Sequence, residues 1–217
     1  MVIESKTYYF EKPGENTEAL LEIAKTRALE KGVKHVVVAS TRGYTGVRAA
    51  EVFQGTGIEV IVVTHQTGHR GAGVQLLTDE NRKKLEEMGV RIVTGTDALT
   101  GGVGLGISYS PRPPERPDEA TMKMMRTIRS FTRNIPPVET IIAQTLRLFC
   151  EGIKVTVEIV LMAADASAIP VDHDVVSIAG TGRGADTAIL VRPVNTVHFT
   201  QMDIHEIIAK PFTRVRT

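Results

Sequence analysis

The sequence predicts a three-layer α/β sandwich around a mostly parallel central sheet, and three observations carry that expectation. Apolar, β-branched runs at residues 35–39, 58–64 and 90–94 have the composition of strands covered on both faces. Segments with helical spacing and helix punctuation separate them. Strand and helix then alternate three times, as parallel strands joined by crossover helices require.

The elements follow in chain order. Residues 16–32 read as a helix: Asn16 is a suitable N-cap, Glu18 lies in the first turn, and Gly32 stands just past the end. Leu20, Ile23, Ala24 and Ala28 recur at helical spacing and would face a sheet. A strand at 35–39 leads into a helix from Thr45 to Phe53, and a second strand occupies 58–64. The next helix, 79–88, is capped by Thr78 and stopped by Gly89, with strand 90–94 behind it. Glycine density around 101–106 and prolines at 111, 113, 114 and 117 imply an exposed excursion, and residues 97–118 are expected to be mobile or ordered only by a ligand or a neighbouring chain. A helix is expected over 119–133. A better one begins after Pro136 and Pro137, with Val138, Ile141, Ile142 and Thr145 on one side. Residues 153–167 are ambiguous, since Val155, Val157, Ile159 and Val160 favour a strand while "LMAADA" favours a helix. Strands are expected at 174–179 and 187–192, and a short final helix at 202–209. The whole, 1–217, reads as a single domain with an irregular insertion at about 97–152.

Composition bounds the function. With 42% hydrophobic and 24% charged residues the chain supports a core, and a net charge of +1 gives no reason to expect nucleic acid or an anionic membrane as a partner. The opening "MVIESK" lacks the apolar stretch expected of a signal peptide. The most apolar later segment, 153–169, carries Glu158 and Asp165 and is too short to span a bilayer, so a cytoplasmic protein is expected. The one cysteine, Cys150, lies in an apolar segment and reads as an inert buried thiol.

Two loops concentrate the chemistry. Behind strand 35–39 come Ser40, Thr41, Arg42, Gly43, Tyr44, Thr45 and Gly46, hydroxyls and glycines around one cation at the start of a helix. A loop of this kind offers free backbone N–H groups and the positive end of a helix dipole, and so favours a phosphate. Arg42 would lie over the anion, and Tyr44 would stack on a ring or shield the loop. It is neither GxxxxGK[ST] nor GxGxxG. Gly180, Thr181, Gly182, Arg183 and Gly184 repeat the recipe after strand 174–179, with Asp186 placed to orient the loop or take a bond from Arg183. Both loops leave strand carboxyl ends, where open α/β sheets bind ligands. A third segment, "THQTGHRGAG", begins at Thr64 and His65. His65 and His69 are four apart with no Asp or Glu beside them in sequence, so contact with a ligand or a lid role is expected rather than a metal site. No catalytic set emerges.

"VVVASTRGYTGVRAA", "IEVIVVTH" and "VRIVTG", taken in order, resemble the C-terminal α/β domain of pyruvate kinase, and "ASAIPVDHDVVSIAGTGRGADTAILVRPV" resembles that domain's closing helix, strand, glycine-rich loop and antiparallel strand. The likeness covers residues 14–96 and 153–193. The whole chain is similar to stand-alone archaeal and bacterial proteins built on this domain. The resemblance implies that 153–167 are helical. It implies that Ser40, Thr41, Gly43 and Thr45 cradle a phosphate and that Gly182, Arg183 and Gly184 cover it. Gly46 stands where the pattern usually has alanine. The catalytic barrel of pyruvate kinase is absent, so kinase activity is not implied. Among stand-alone relatives of this kind, flavin mononucleotide (FMN) suits the site: one phosphate for the cradle, one flat ring for the glycine-rich walls and Tyr44. The expected partner is therefore a small phosphorylated ligand, with a homo-oligomer as a candidate assembly. An FMN-dependent oxidoreductase, a sugar-phosphate-binding regulatory module and a structural subunit are the alternatives.

Overall fold

The computed structural model describes residues 4–102 and 136–215. The helix expected over 119–133, and most of the excursion at 97–118, lie outside the described residues. Seven strands form one sheet in the order β1-β7-β6-β5-β2-β3-β4. They are β1 (Tyr8–Phe10), β2 (His35–Ala39), β3 (Glu59–Thr64), β4 (Arg91–Thr94), β5 (Val175–Ala179), β6 (Thr187–Arg192) and β7 (Asp203–Pro211). β5, β2, β3 and β4 run parallel, while β6 is antiparallel to both β5 and β7.

The valines of β2 show why the sheet is buried on both sides. Val36 and Val38 point into a core shared with helices α1 (Thr17–Glu30), α2 (Tyr44–Phe53) and α3 (Asp79–Glu87). Val37 points into the other core, under α4 (Val138–Leu146) and α5 (Glu151–Asp165). All three valines are fully buried, each contributing about 1.5–3 kcal/mol relative to exposure. The result is the expected three-layer αβα arrangement. Residues 153–167 are helical through Asp165, in agreement with the resemblance and against the β-branched run.

Three elements differ from expectation. Residues 203–211 form a strand and not a helix. Ile204, Ile207 and Ile208 have i, i+3, i+4 spacing, which imitates a helix face. The strand departs from period two because its pairing with β6 shifts register at Ala188/Ile189 and at Leu190/Val191. In α4, Ala143 is buried and Ile142 and Leu146 pack on the core, whereas Val138 and Ile141 are exposed, so the expected apolar side is displaced. The three-residue β1 pairs in parallel with β7 at one sheet edge and is too short to show a pattern in sequence.

Candidate site at the carboxyl edge of the sheet

The topology brings the two loops together. From β2 the chain steps outward to β3 and β4, then returns to lay β5 on the opposite side of β2. β2 and β5 are therefore parallel neighbours at the point where the strand order reverses, the usual place for a ligand in an open α/β sheet. Val38 pairs with Ile178, so Ser40 and Gly180, each two residues further on, open the two loops side by side.

In the first loop, Gly43 is the N-cap of α2 with φ 102° and offers no side-chain cap. Ser40 is buried, and its Oγ accepts a hydrogen bond from Gly46 N–H at 3.0 Å. The Arg42 carbonyl accepts from Asn81 Nδ2 at 2.9 Å and from Thr78 Oγ1 at 3.3 Å, pinning the loop to the start of α3. Among the described residues no acceptor pairs with the backbone N–H groups of Thr41 through Thr45, nor with the Thr45 hydroxyl, although Thr45 is buried. Unpaired N–H groups at the positive end of a ten-residue helix make an anion-accepting surface. Thr41, Arg42 and Tyr44 are exposed around it.

Two glycines here serve packing and not ligand approach. A Cβ on Gly43 would lie 2.3 Å from Asn81 Cβ and 2.8 Å from Leu77 Cδ1. One on Gly46 would lie 2.7 Å from Val62 Cγ2, so glycine at that position lets α2 settle onto β3.

The second loop is organised by Asp186, whose side chain is fully buried. Its Oδ2 accepts from Gly14 N at 2.7 Å and from Thr181 N at 3.2 Å, and its Oδ1 accepts from Thr187 Oγ1 at 2.7 Å. Thr17 Oγ1 accepts from Ala185 N at 3.0 Å, tying the loop to the start of α1. Asp186 thus orients the glycine loop, one of its two expected roles, but Arg183 turns outward to Glu15 at 3.4 Å. Gly180 is required by backbone: a Cβ there would lie 2.3 Å from the Gly184 carbonyl oxygen. Gly182, at φ 81°, faces open space. Thr181 Oγ1 is buried and has no hydrogen-bond partner.

Thr64 and His65 lie one strand over. Thr64 is buried and its hydroxyl bonds Thr94 Oγ1 at 2.7 Å, joining the ends of β3 and β4. His65 Nδ1 lies 3.1 Å from Asp97 Oδ2, and its ring stacks on His69 at 4.3 Å between centroids. An Asp does accompany the histidines, brought by the fold from the segment behind β4. The neighbouring His65 side chain helps hold the Asp97 carboxyl below the usual range despite burial, and burial with the His65 charge lowers His69.

Sequence reading also missed a buried ion pair. Lys154 and Glu158, four apart on α5 and each 5% exposed, bond to one another. Glu158 Oε1 accepts from Leu99 N and Thr100 Oγ1, both at 2.9 Å, which anchors the segment following β4. Opposite charges at i, i+4 inside an otherwise apolar helix were the available signal. Cys150 is buried, and burial pushes its thiol up, as befits an inert residue.

A three-layer α/β domain with paired strand-end loops at a topological switch point defines the class. Over residues 18–191 the sequence matches the family described as pyruvate kinase, alpha/beta domain, and the chain belongs to that family. Among the described residues no helix is long and apolar enough to cross a membrane.

Proposed function

We propose that the chain binds a phosphate-bearing cofactor or metabolite, FMN first, between loops 40–46 and 180–184. The unpaired N–H groups of Thr41 through Thr45, at the head of α2 and adjacent to β5, carry this reading. Several further features fit a phosphate monoester. The Thr45 and Thr181 hydroxyls are unspent donors, Arg42 has no carboxylate within ion-pair distance among the described residues, and Gly182 leaves room above the crevice. Ser40 and Thr64 shape the site instead, since their hydroxyls serve internal bonds. Tyr44, 58% exposed beside the cradle, is available to a flat ring. Bound FMN would supply redox chemistry; this chain's own residues would bind its phosphate and screen it from water.

Thr45→Val tests the cradle. The change keeps shape and branching and removes one donor to a charged oxygen, a bond contributing about 1.5–3 kcal/mol. FMN affinity should fall roughly 10- to 100-fold, with riboflavin binding unchanged. Equal binding of FMN and riboflavin by the wild-type protein, with Thr45→Val altering neither, would defeat the proposal.

A further inference from the structure

We propose that His65, His69 and Asp97 form a binding site for one divalent transition-metal ion at the carboxyl ends of β3 and β4. One ligand atom from each residue lies within 4.8 Å of the others. Two imidazoles and one carboxylate suit Zn²⁺, Fe²⁺ or Co²⁺ more than Mg²⁺ or Ca²⁺, which prefer oxygen. The 3.1 Å between His65 Nδ1 and Asp97 Oδ2 is also the spacing of two ligands that share an ion about 2.1 Å from each. The stacked rings must rotate, because a metal lies in the plane of the imidazole that binds it. His69 can do so: it is exposed, in a loop that turns at Gly68 with φ 94°.

The surroundings favour the ion. Asp97 is only 4% exposed, and its direct partners among the described residues are His65 Nδ1 and Gln66 N–H. The nearby Lys154 charge is already matched by Glu158. A buried carboxylate whose oxygens meet only one imidazole nitrogen and one backbone N–H keeps acceptor capacity that a dication can use. Gln66 holds Asp97 through two bonds: its N–H donates to the carboxylate Oδ1 at 3.2 Å, and its Oε1 accepts from the Asp97 backbone N–H. Such orienting bonds are what metal ligands require. Three protein donors leave a coordination position open to water or to an oxygen of a bound ligand.

The test is titration of the EDTA-treated full chain with Co²⁺, followed by visible absorbance, in a buffer free of phosphate ligands so that the result is independent of the cradle. One equivalent should develop the absorption of a low-coordinate Co²⁺ site, and Zn²⁺ should abolish it by displacement. His69→Ala removes an exposed loop side chain and leaves the core intact. It should weaken Co²⁺ by more than the roughly 10- to 100-fold that loss of an outer-shell partner costs. His65→Ala should do the same. Absence of a saturable Co²⁺ signal, or wild-type affinity in His69→Ala, would overturn the site and leave His65–Asp97 as a structural hydrogen bond.

Discussion

Loops 40–46 and 180–186 share a composition and differ in what their polar groups are doing. The first opens a helix, is clamped from outside through the Arg42 carbonyl, and leaves a run of its own N–H groups unpaired. The second joins two antiparallel strands and is braced against the start of α1 through Asp186 and Thr17, which leaves the Thr181 hydroxyl unpaired. Glycines and hydroxyls alone therefore do not distinguish an anion cradle from a turn braced by a buried carboxylate. A consecutive run of unpaired N–H groups at the head of a helix does distinguish them. The first loop should be costly to alter for binding, the second for stability.

The largest effect should come from Asp186→Ala. It removes the acceptor of three hydrogen bonds at a fully buried position and strands Gly14 N, Thr181 N and Thr187 Oγ1. At about 1–3 kcal/mol for a buried group left unsatisfied, a loss of roughly 3 kcal/mol is expected in urea denaturation. Thr45→Val should show the opposite pattern, since the Thr45 hydroxyl makes no hydrogen bond among the described residues and its exchange for a methyl breaks none. A stability loss in Thr45→Val comparable to that in Asp186→Ala would erase the contrast between the loops.

Gly46→Ala should come next. The added methyl meets Val62, which is itself fully buried, and overpacking of this kind costs about 1–3 kcal/mol. Higher helix propensity returns up to about 1 kcal/mol, leaving a net loss of about 1–2 kcal/mol. Because the cost lies in one contact, Val62→Ala should relieve it, and a double-mutant cycle should show coupling between the positions. Additive losses would mean that Gly46 is needed by the loop and not by the helix packing. Gly43→Val makes a poor probe of the phosphate, since its side chain would strike Asn81 and Leu77 first.

These contacts also show what was legible in advance. Strands β2, β3 and β5 could be read because a strand buried on both faces is apolar almost throughout, whereas edge strand β4 was marked only by Ile92 and Val93 behind the Gly89 helix stop. β7 could not: Glu206 is buried against Arg27, with guanidinium–carboxylate bonds of 2.8–3.1 Å, and register shifts broke the alternation. The loops could be located from residue types, but which glycine makes room for a neighbour depends on elements far away in sequence. Gly46 meets Val62 on β3, Gly43 meets Asn81 on α3, and Asp97 reaches His65 from behind β4. Local sequence carries local conformation. The partners that give these residues their roles are set by topology.

Arg183→Ala should have the smallest effect and draws the comparison most finely. The side chain is 91% exposed and its pairing with Glu15 is long, so stability should change by less than about 0.5 kcal/mol. If the second loop covers a phosphate held by the first, Arg183 acts as a mobile cation at its rim. Charges so exposed contribute about 0.2–1 kcal/mol, equivalent to a loss of FMN affinity of roughly 1.5- to 5-fold. The loss should shrink at high salt, where exposed charges are screened, and riboflavin should bind unchanged. A loss as large as that of Thr45→Val, persisting at high salt, would mean that Arg183 swings inward and pairs with the phosphate directly. The second loop would then belong to the cradle and not to its cover.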